Sequence, residues 1–267
     1  MDISKSKKSF EAKELSLSYF VRMGIAVSIL SSLILIIAAV GYRWDLWSVK
    51  FALLTLTKYA TYGALVGAAI SLVGVGKSWP GGTSRGLLLS VFGVIIGSGA
   101  FCTIFEHWKM VQTHPFIHDI TTDTDNPPQF VAVVPIRQSL NANPHLYEGS
   151  DLAFLQHYGG FNRPYKDIAP FITELPPGRT FDVALKVAEE MGWEIIKADT
   201  EGGRIEASDT SFWYGFTDDI VIRVTSESVG SRVDMRSLSR VGRSDVGVNA
   251  ARIRIYMSAL TEKIAES

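Results

Sequence analysis

The chain has 267 residues, with 26 Lys plus Arg against 27 Asp plus Glu, and its formal net charge of -1 excludes a globally basic nucleic-acid binder. A mean hydropathy of +0.17 is unusual beside 20% charged residues, so the apolar residues must be concentrated in one part of the chain. They lie before Met110.

Residues 1–18 read as a polar cytoplasmic tail and residues 19–110 as a three-helix transmembrane region. Apolar runs extend from about Tyr19 to Val40, Leu53 to Val75 and Gly86 to Phe105, each close to the roughly 20 residues that a helix needs to cross a bilayer. Helix is the natural form, because every backbone amide in lipid must find a partner inside its own segment. Trp44, Trp47, Trp79 and Trp108 follow the runs, where indole rings favour the headgroup boundary, and Lys58 can snorkel to that boundary from about one turn inside the second run. Lys5, Lys7, Lys8, Lys13 and Arg22 near the N-terminus, with Lys77 and Arg85 in the second loop, outweigh Arg43, Lys50 and Lys58 around the first loop. The bias predicts a multi-pass protein of the bacterial inner membrane, with its N-terminus cytoplasmic and its C-terminal domain periplasmic.

The polar tail and first apolar run are both too long for a cleaved signal peptide. The single cysteine, Cys102, lies in the third run and can form no intrachain disulfide. Small-residue stripes, Gly63, Gly67 and Ser71 on the second run and Gly93 and Gly97 on the third, predict that these two spans pack on each other. "GVGKS", Gly74 to Ser78, is not a phosphate loop: Ser71 occupies the first glycine position, and the context is the end of a span.

Beyond Met110 the chain is acidic, with about fifteen Lys plus Arg against about twenty-two Asp plus Glu. Residues 111–180 read as an irregular leader rich in Pro, Gly, Asn and Asp. Within it "HDITTDTDNPP" offers His118, Asp119, Asp123 and Asp125, whose spacing fits no calcium loop, so the segment is expected to be solvated. Residues 181–267 read as an α+β core. Thr180 is placed to cap a helix over Phe181–Met191 that Gly192 ends. Strands follow over Trp193–Lys197 and Arg204–Ser208, with Phe212–Phe216 as a continuation or a separate strand; its alternating aromatics suit a core, or else stacking on a sugar or lipid. Ile220–Thr225 and Ser231–Ser239 form the last hairpin. Setting Arg223 opposite Asp234, Ile222 opposite Met235 and Val224 opposite Val233 gives one apolar face and one charged face that carries Arg236, Arg204 and Glu206 toward solvent. A final helix from about Val246 to Ala265 buries Val246, Ala250, Ile253, Met257, Leu260 and Ile264. The expected fold is a multi-span α-helical membrane region followed by an α+β domain, an antiparallel meander with helices on one face.

Every basic residue between Gly203 and Glu262 is arginine, the side chain whose planar fork grips carboxylates and phosphates through two hydrogen bonds. "SRVGRSDVGVN", Ser239 to Asn249, joins the last strand to the last helix, with Gly242 for the turn and Ser244 or Asp245 as cap. Arg236, Arg240, Arg243, Asp245, Asn249 and Arg252 are therefore the candidate binding residues for an anion. In the alternative, Asp245 caps the helix, takes an arginine as partner and leaves no vacancy. There is no G-x-S-x-G elbow, zinc spacing or C-x-x-C, so no catalytic residue, metal or cofactor is assigned.

"HDITTDTDNPPQF", "YKDIAPF" and "DMRSLSRVGRSDVGVNAARIR" resemble the bacterial family called domain of unknown function 1499. Some members of that family are short envelope lipoproteins, and this chain resembles the variety with N-terminal spans. The resemblance implies that Arg240, Arg243, Asp245, Asn249 and Arg252 belong to a recurring motif, and it assigns no activity. The expected function is binding of an anionic small molecule or an envelope protein by a membrane-anchored domain, with no nucleic acid involved. Two alternatives stand beside it: an enzyme acting on an anionic envelope component, with Asp245 or a leader aspartate as general base, and a structural subunit of a membrane complex.

Overall fold

Three long apolar helices occupy the N-terminal part of a computed structural model that describes residues 3–78, 84–147 and 165–266. The chain divides into two compact units, Met1–Lys109 and Met110–Ser267. Helix α1 (Ile3–Arg43) runs unbroken through the polar tail and contains the candidate span Tyr19–Arg43. The second span, Phe51–Ser78, opens as a π-helix over Phe51–Thr57 and continues as α2 (Lys58–Ser78). Thr57 Oγ1 donates to the Ala52 carbonyl five residues back at 3.0 Å, which suits the wider turn. Helix α3 (Ser84–Thr113) contains the third span, Gly86–Thr113. The spans run past Val40, Val75 and Phe105 because polar residues continue each helix beyond its apolar run. This is a membrane protein by the length and composition of these helices. Trp44 and Trp108 are exposed at helix ends, Trp47 Nε1 donates to the Ala38 carbonyl at 3.1 Å, and Trp79 lies outside the described residues.

The glycine stripes mark close helix approaches, with one change of partner. Gly63 and Gly67 on α2 lie against Ser31 and Ser28 of α1, while Ser71, the third member of the stripe, lies against both Gly24 of α1 and Gly93 of α3. Gly93 and Gly97 on α3 meet both neighbours: Gly93 lies against Ser71 of α2 and Ile25 of α1, and Gly97 against Ala64 and Ala68 of α2 and Ser28 of α1. Small residues permit these approaches, and van der Waals contact holds the helices where lipid supplies no hydrophobic drive.

In the second unit an antiparallel sheet of six strands has the order β1-β6-β5-β4-β3, and β2 also pairs with β6. The strands are β1 (Asp119–Thr121), β2 (Phe171–Thr173), β3 (Glu194–Asp199), β4 (Arg204–Thr210), β5 (Thr217–Ser226) and β6 (Ser231–Ser239). The expected register holds: Arg223 pairs with Asp234, Ile222 with Met235 and Val224 with Val233. One sheet face packs on α5 (Pro177–Glu190) and α6 (Val248–Ala265) through Ile205, Ile220, Ile222 and Met235 against Ala184, Val187, Ile253 and Leu260. Trp193 stacks on Tyr256 with centroids 5.3 Å apart, and the Tyr256 hydroxyl donates to the Ala184 carbonyl at 2.9 Å, joining the two helices.

The opposite face is not solvated. The leader, with its short helix α4 (Val134–Ser139), lies across it, and Phe130 and Val133 pack on Val221 and Leu238. Glu206, Asp234 and Arg236 on that face are each 1% exposed or less. Two further boundaries differ from expectation. Helix α5 starts at Pro177, whose fixed φ suits a first turn that needs no N–H; Thr180 instead sits inside that turn and bonds the Ser231 hydroxyl at 2.7 Å. Gly192 at φ 76 does end the helix, with its N–H on the Glu189 carbonyl and that of Trp193 on the Ala188 carbonyl. Residues 212–216 are no strand but the turn between β4 and β5, and Phe212 is 81% exposed where a core residue was expected.

A Cβ at Gly97 would lie 2.6 Å from the Ala64 carbonyl oxygen, whereas one at Gly99 would meet nothing within 4 Å. Gly97→Val is expected to lower the unfolding temperature of the detergent-solubilised protein, and Gly99→Val to leave it unchanged. Equal behaviour of the two variants in a thermal aggregation assay contradicts the packing described.

Candidate functional site

The arginines are gripped by carboxylates, and the carboxylates belong to the same chain. On the leader side, Arg236 of β6 is fully buried; its Nε donates to Asp119 Oδ1 at 2.8 Å and its Nη2 to Asp119 Oδ2 at 2.7 Å. The same guanidinium donates to the Pro128 and His145 carbonyls and lies over the Phe130 ring. Just past the end of β6, Arg240 forms a fork with Asp219, Nε to Oδ2 at 2.9 Å and Nη2 to Oδ1 at 2.7 Å. Arg137 of α4 donates to the same aspartate from the leader, and Ser208 Oγ adds a bond at 2.7 Å. Burial pulls the Arg137 guanidinium below its ordinary value, and Asp219 pulls it back.

Two more groups complete the leader's attachment. The Glu206 carboxylate accepts the N–H groups of Val131, Ala132 and Val133 at 2.9 to 3.1 Å, an anion held by backbone amides. Asp234 takes Arg223 and Arg232, both of which also reach Asp123. Asp119 and Asp123 are thus structural partners and not the solvated carboxylates expected of the leader, because a charge carried across the sheet must be paired.

On the helix side, the polar stripe of α6 faces the sheet. Asn249 is fully buried; its amide donates to the His118 carbonyl and Ser239 Oγ, and its Oδ1 accepts from Ser237 Oγ and Arg252 Nη1. Arg252 also pairs with Asp209 and Asp218 at 2.8 Å. Asp245 is buried, with its oxygens on the N–H groups of Gly247 and Asn249 at 3.1 and 2.7 Å. Burial raises its carboxyl above the ordinary carboxylate range, against those two amides. The N-cap position itself is Gly247, at φ 85, so α6 begins two residues later than the sequence suggests. A Cβ at Gly247 would lie 2.5 Å from the His114 ring.

The candidate residues therefore fall into separate clusters. Arg236 sits with Asp119, Arg240 with Asp219, and Asn249 with Arg252; Asp245 holds the Gly247 and Asn249 amides in the turn before the helix. Arg243 differs: it is exposed, with its guanidinium 5.7 Å from the centre of the Phe116 ring. A surface cavity of about 280 Å³ is lined by Arg137, Gln138, Asn143 and His145, and Asp245 does not line it. Among the described residues no group of three or more His, Cys, Asp or Glu is placed to hold a metal ion.

Sequence reasoning missed Asp219, Arg137 and Asp209, and it set Glu206 toward solvent where the structure buries it. The available signal was the alternation Arg232, Asp234, Arg236 on one face of β6, a strand flanked on both sides and hence central to the sheet.

A family match covers these clusters together. It runs over residues 119–260, from the first residue of β1 into α6, and the family is described as protein of unknown function, DUF1499. The chain belongs to the DUF1499 family. Comparison with curated proteins returns no match. The match leaves the three candidate spans outside and takes in the whole sheet of this chain with its ion pairs.

Removing one partner of a buried pair leaves the other charge uncompensated, at about 3–5 kcal/mol. Asp219→Ala strands two arginines and is expected to cost that much in urea unfolding followed through Trp193, whereas Arg243→Ala should stay within about 0.5 kcal/mol. For Asp245 the folded state holds its proton more tightly than the unfolded state, so stability falls as pH rises between the two values. Relative to Asp245→Asn, the wild-type protein is expected to lose stability as pH rises above the unfolded carboxyl value of about 4; a pH-independent difference would contradict the raised carboxyl.

Proposed function

We propose that this DUF1499 protein is a non-catalytic, multi-pass protein of the bacterial inner membrane whose periplasmic domain recognises an anionic envelope component or an acidic protein surface at Arg243. The excess of basic residues near the N-terminus and in the second loop supports the orientation. The observation that carries the binding site is the contrast among the motif arginines. Arg236, Arg240 and Arg252 have their forks filled by Asp119, Asp219, and Asp209 with Asp218, while the Arg243 guanidinium stands at the surface over Phe116. An arginine held against a ring loses less freedom on binding than one on an open stem.

The non-catalytic reading is supported by Asp245. A general base needs an accessible lone pair within reach of a substrate proton, and both oxygens of this carboxylate hold backbone amides in a buried turn. Native mass spectrometry of the detergent-extracted protein tests the proposal. Wild type is expected to retain an anionic species that Arg243→Glu releases at an unchanged unfolding temperature; equal retention by both proteins rejects Arg243 as the site.

A further inference from the structure

Charge does not balance around Asp219. On the same face of the sheet Arg236 is matched by Asp119, and Arg223 and Arg232 by Asp123 and Asp234, one carboxylate for each guanidinium. Arg137 and Arg240 instead share the single carboxylate of Asp219, so this cluster carries one positive charge in excess. Arg240 takes both Asp219 oxygens, whereas Arg137 reaches one of them through Nη1 and gives its Nη2 to the Asn143 and Ser239 carbonyls. The Arg137 Nε–H has no acceptor among the described residues, although the side chain is only 2% exposed. A buried donor without a partner is costly, and arginine cannot shed its charge to avoid that cost.

Arg137 is also one wall of the surface cavity of about 280 Å³. The chain beyond it is folded around this space and tied to the end of β6. The Ala142 N–H returns to the Arg137 carbonyl at 3.0 Å, and the Asn143 N–H bonds the Arg240 carbonyl at 2.8 Å. The Asn143 side-chain amide donates to the Ser239 and Gly242 carbonyls at 3.1 and 2.6 Å. Gln138, Asn141 and His145 line the rest of the cavity with two amides and an imidazole, and among the described residues no acidic side chain lines it. A positive excess therefore borders a polar space that offers it no negative charge.

We infer that this cavity binds a small organic monocarboxylate with a hydroxylated body, its carboxylate placed at Arg137. One excess positive charge is matched by one negative charge, whereas a phosphate monoester, at about −1.5 to −2, would reverse the sign of the cluster. The space is several times the roughly 30 Å³ share of a water molecule, so it holds more than a bare ion. The amides of Gln138 and Asn141 both donate and accept, which suits hydroxyl groups that do the same. Every residue in this site belongs to the second unit, and Arg243 does not line the cavity. The inference is thus independent of the ligand proposed at Arg243.

Arg137 holds Asp219 in the fold, so the exposed Gln138 is the position to vary. Saturation-transfer NMR titration of the full-length, detergent-solubilised protein with gluconate tests the inference, with glucose as the uncharged comparison. All the proteins carry Arg243→Ala, so the other proposed site does not contribute. Gluconate is expected to bind the parent protein and to bind Gln138→Glu about tenfold or more weakly at an unchanged unfolding temperature, because the new carboxylate repels that of the ligand. Asn141→Asp gives a second reading of the same effect. Val229→Glu makes the same change of charge at the β5–β6 hairpin and should bind gluconate as the parent does. Absence of gluconate binding, equal binding of glucose, equal affinity in Gln138→Glu and Val229→Glu, or displacement of gluconate by equimolar inorganic phosphate each overturns the inference.

Discussion

The second unit depends on keeping negative charge inside it. Asp219 is fully buried between β4 and β6, and it is tolerated there because Arg137, Arg240 and Ser208 converge on its two oxygens. A buried ion pair adds little to stability over a well-packed apolar substitute, but its geometry admits few alternatives. Arg137 can satisfy Asp219 only with the leader laid across the sheet, and Glu206 can be satisfied by Val131, Ala132 and Val133 only with the same segment one turn earlier. An irregular stretch of chain thereby acquires a single place on the sheet without the ladder of a strand.

The "SRVGRSDVGVN" segment belongs to this architecture. Gly242, Val246 and Gly247 all have positive φ, a conformation costly for a β-branched residue. The bend is held by Asp245, whose N–H bonds the Ile117 carbonyl while its side chain takes the amides of Gly247 and Asn249. The motif thus ties the last strand, the last helix and the arriving chain together at one corner. A sequence reader sees arginine, aspartate and asparagine near a helix start and suspects a ligand; the fold uses most of them on one another.

What was legible in the sequence follows from local rules. The spans appear as unbroken apolar runs, the β5–β6 register as alternation, and the buried face of α6 as a spacing of three and four through Ala250, Ile253 and Leu260. What was hidden depends on contacts between distant segments. Nothing local in "DITTDTD" says that Asp119 will meet Arg236, 117 residues later, so its carboxylates look solvated. Phe212 to Phe216 imitates a strand because aromatics favour strands. Gly215 at positive φ was the local sign of a turn, and it was outweighed by the rings around it.

The pairing of β1 and β2 with β6 has a temporal consequence. Both leader strands find their partner in the last strand, so the earliest part of the domain to leave the ribosome must wait for nearly the last before it can close. Such high contact order slows closure, because a long loop must be ordered before any contact rewards it. During that interval Glu206 and Asp219 stand in water at no cost, and their charge helps keep the open β4–β5 hairpin from pairing with a neighbour's edge. The carboxylates that later specify the closed form are thus among the charges that the open hairpin carries.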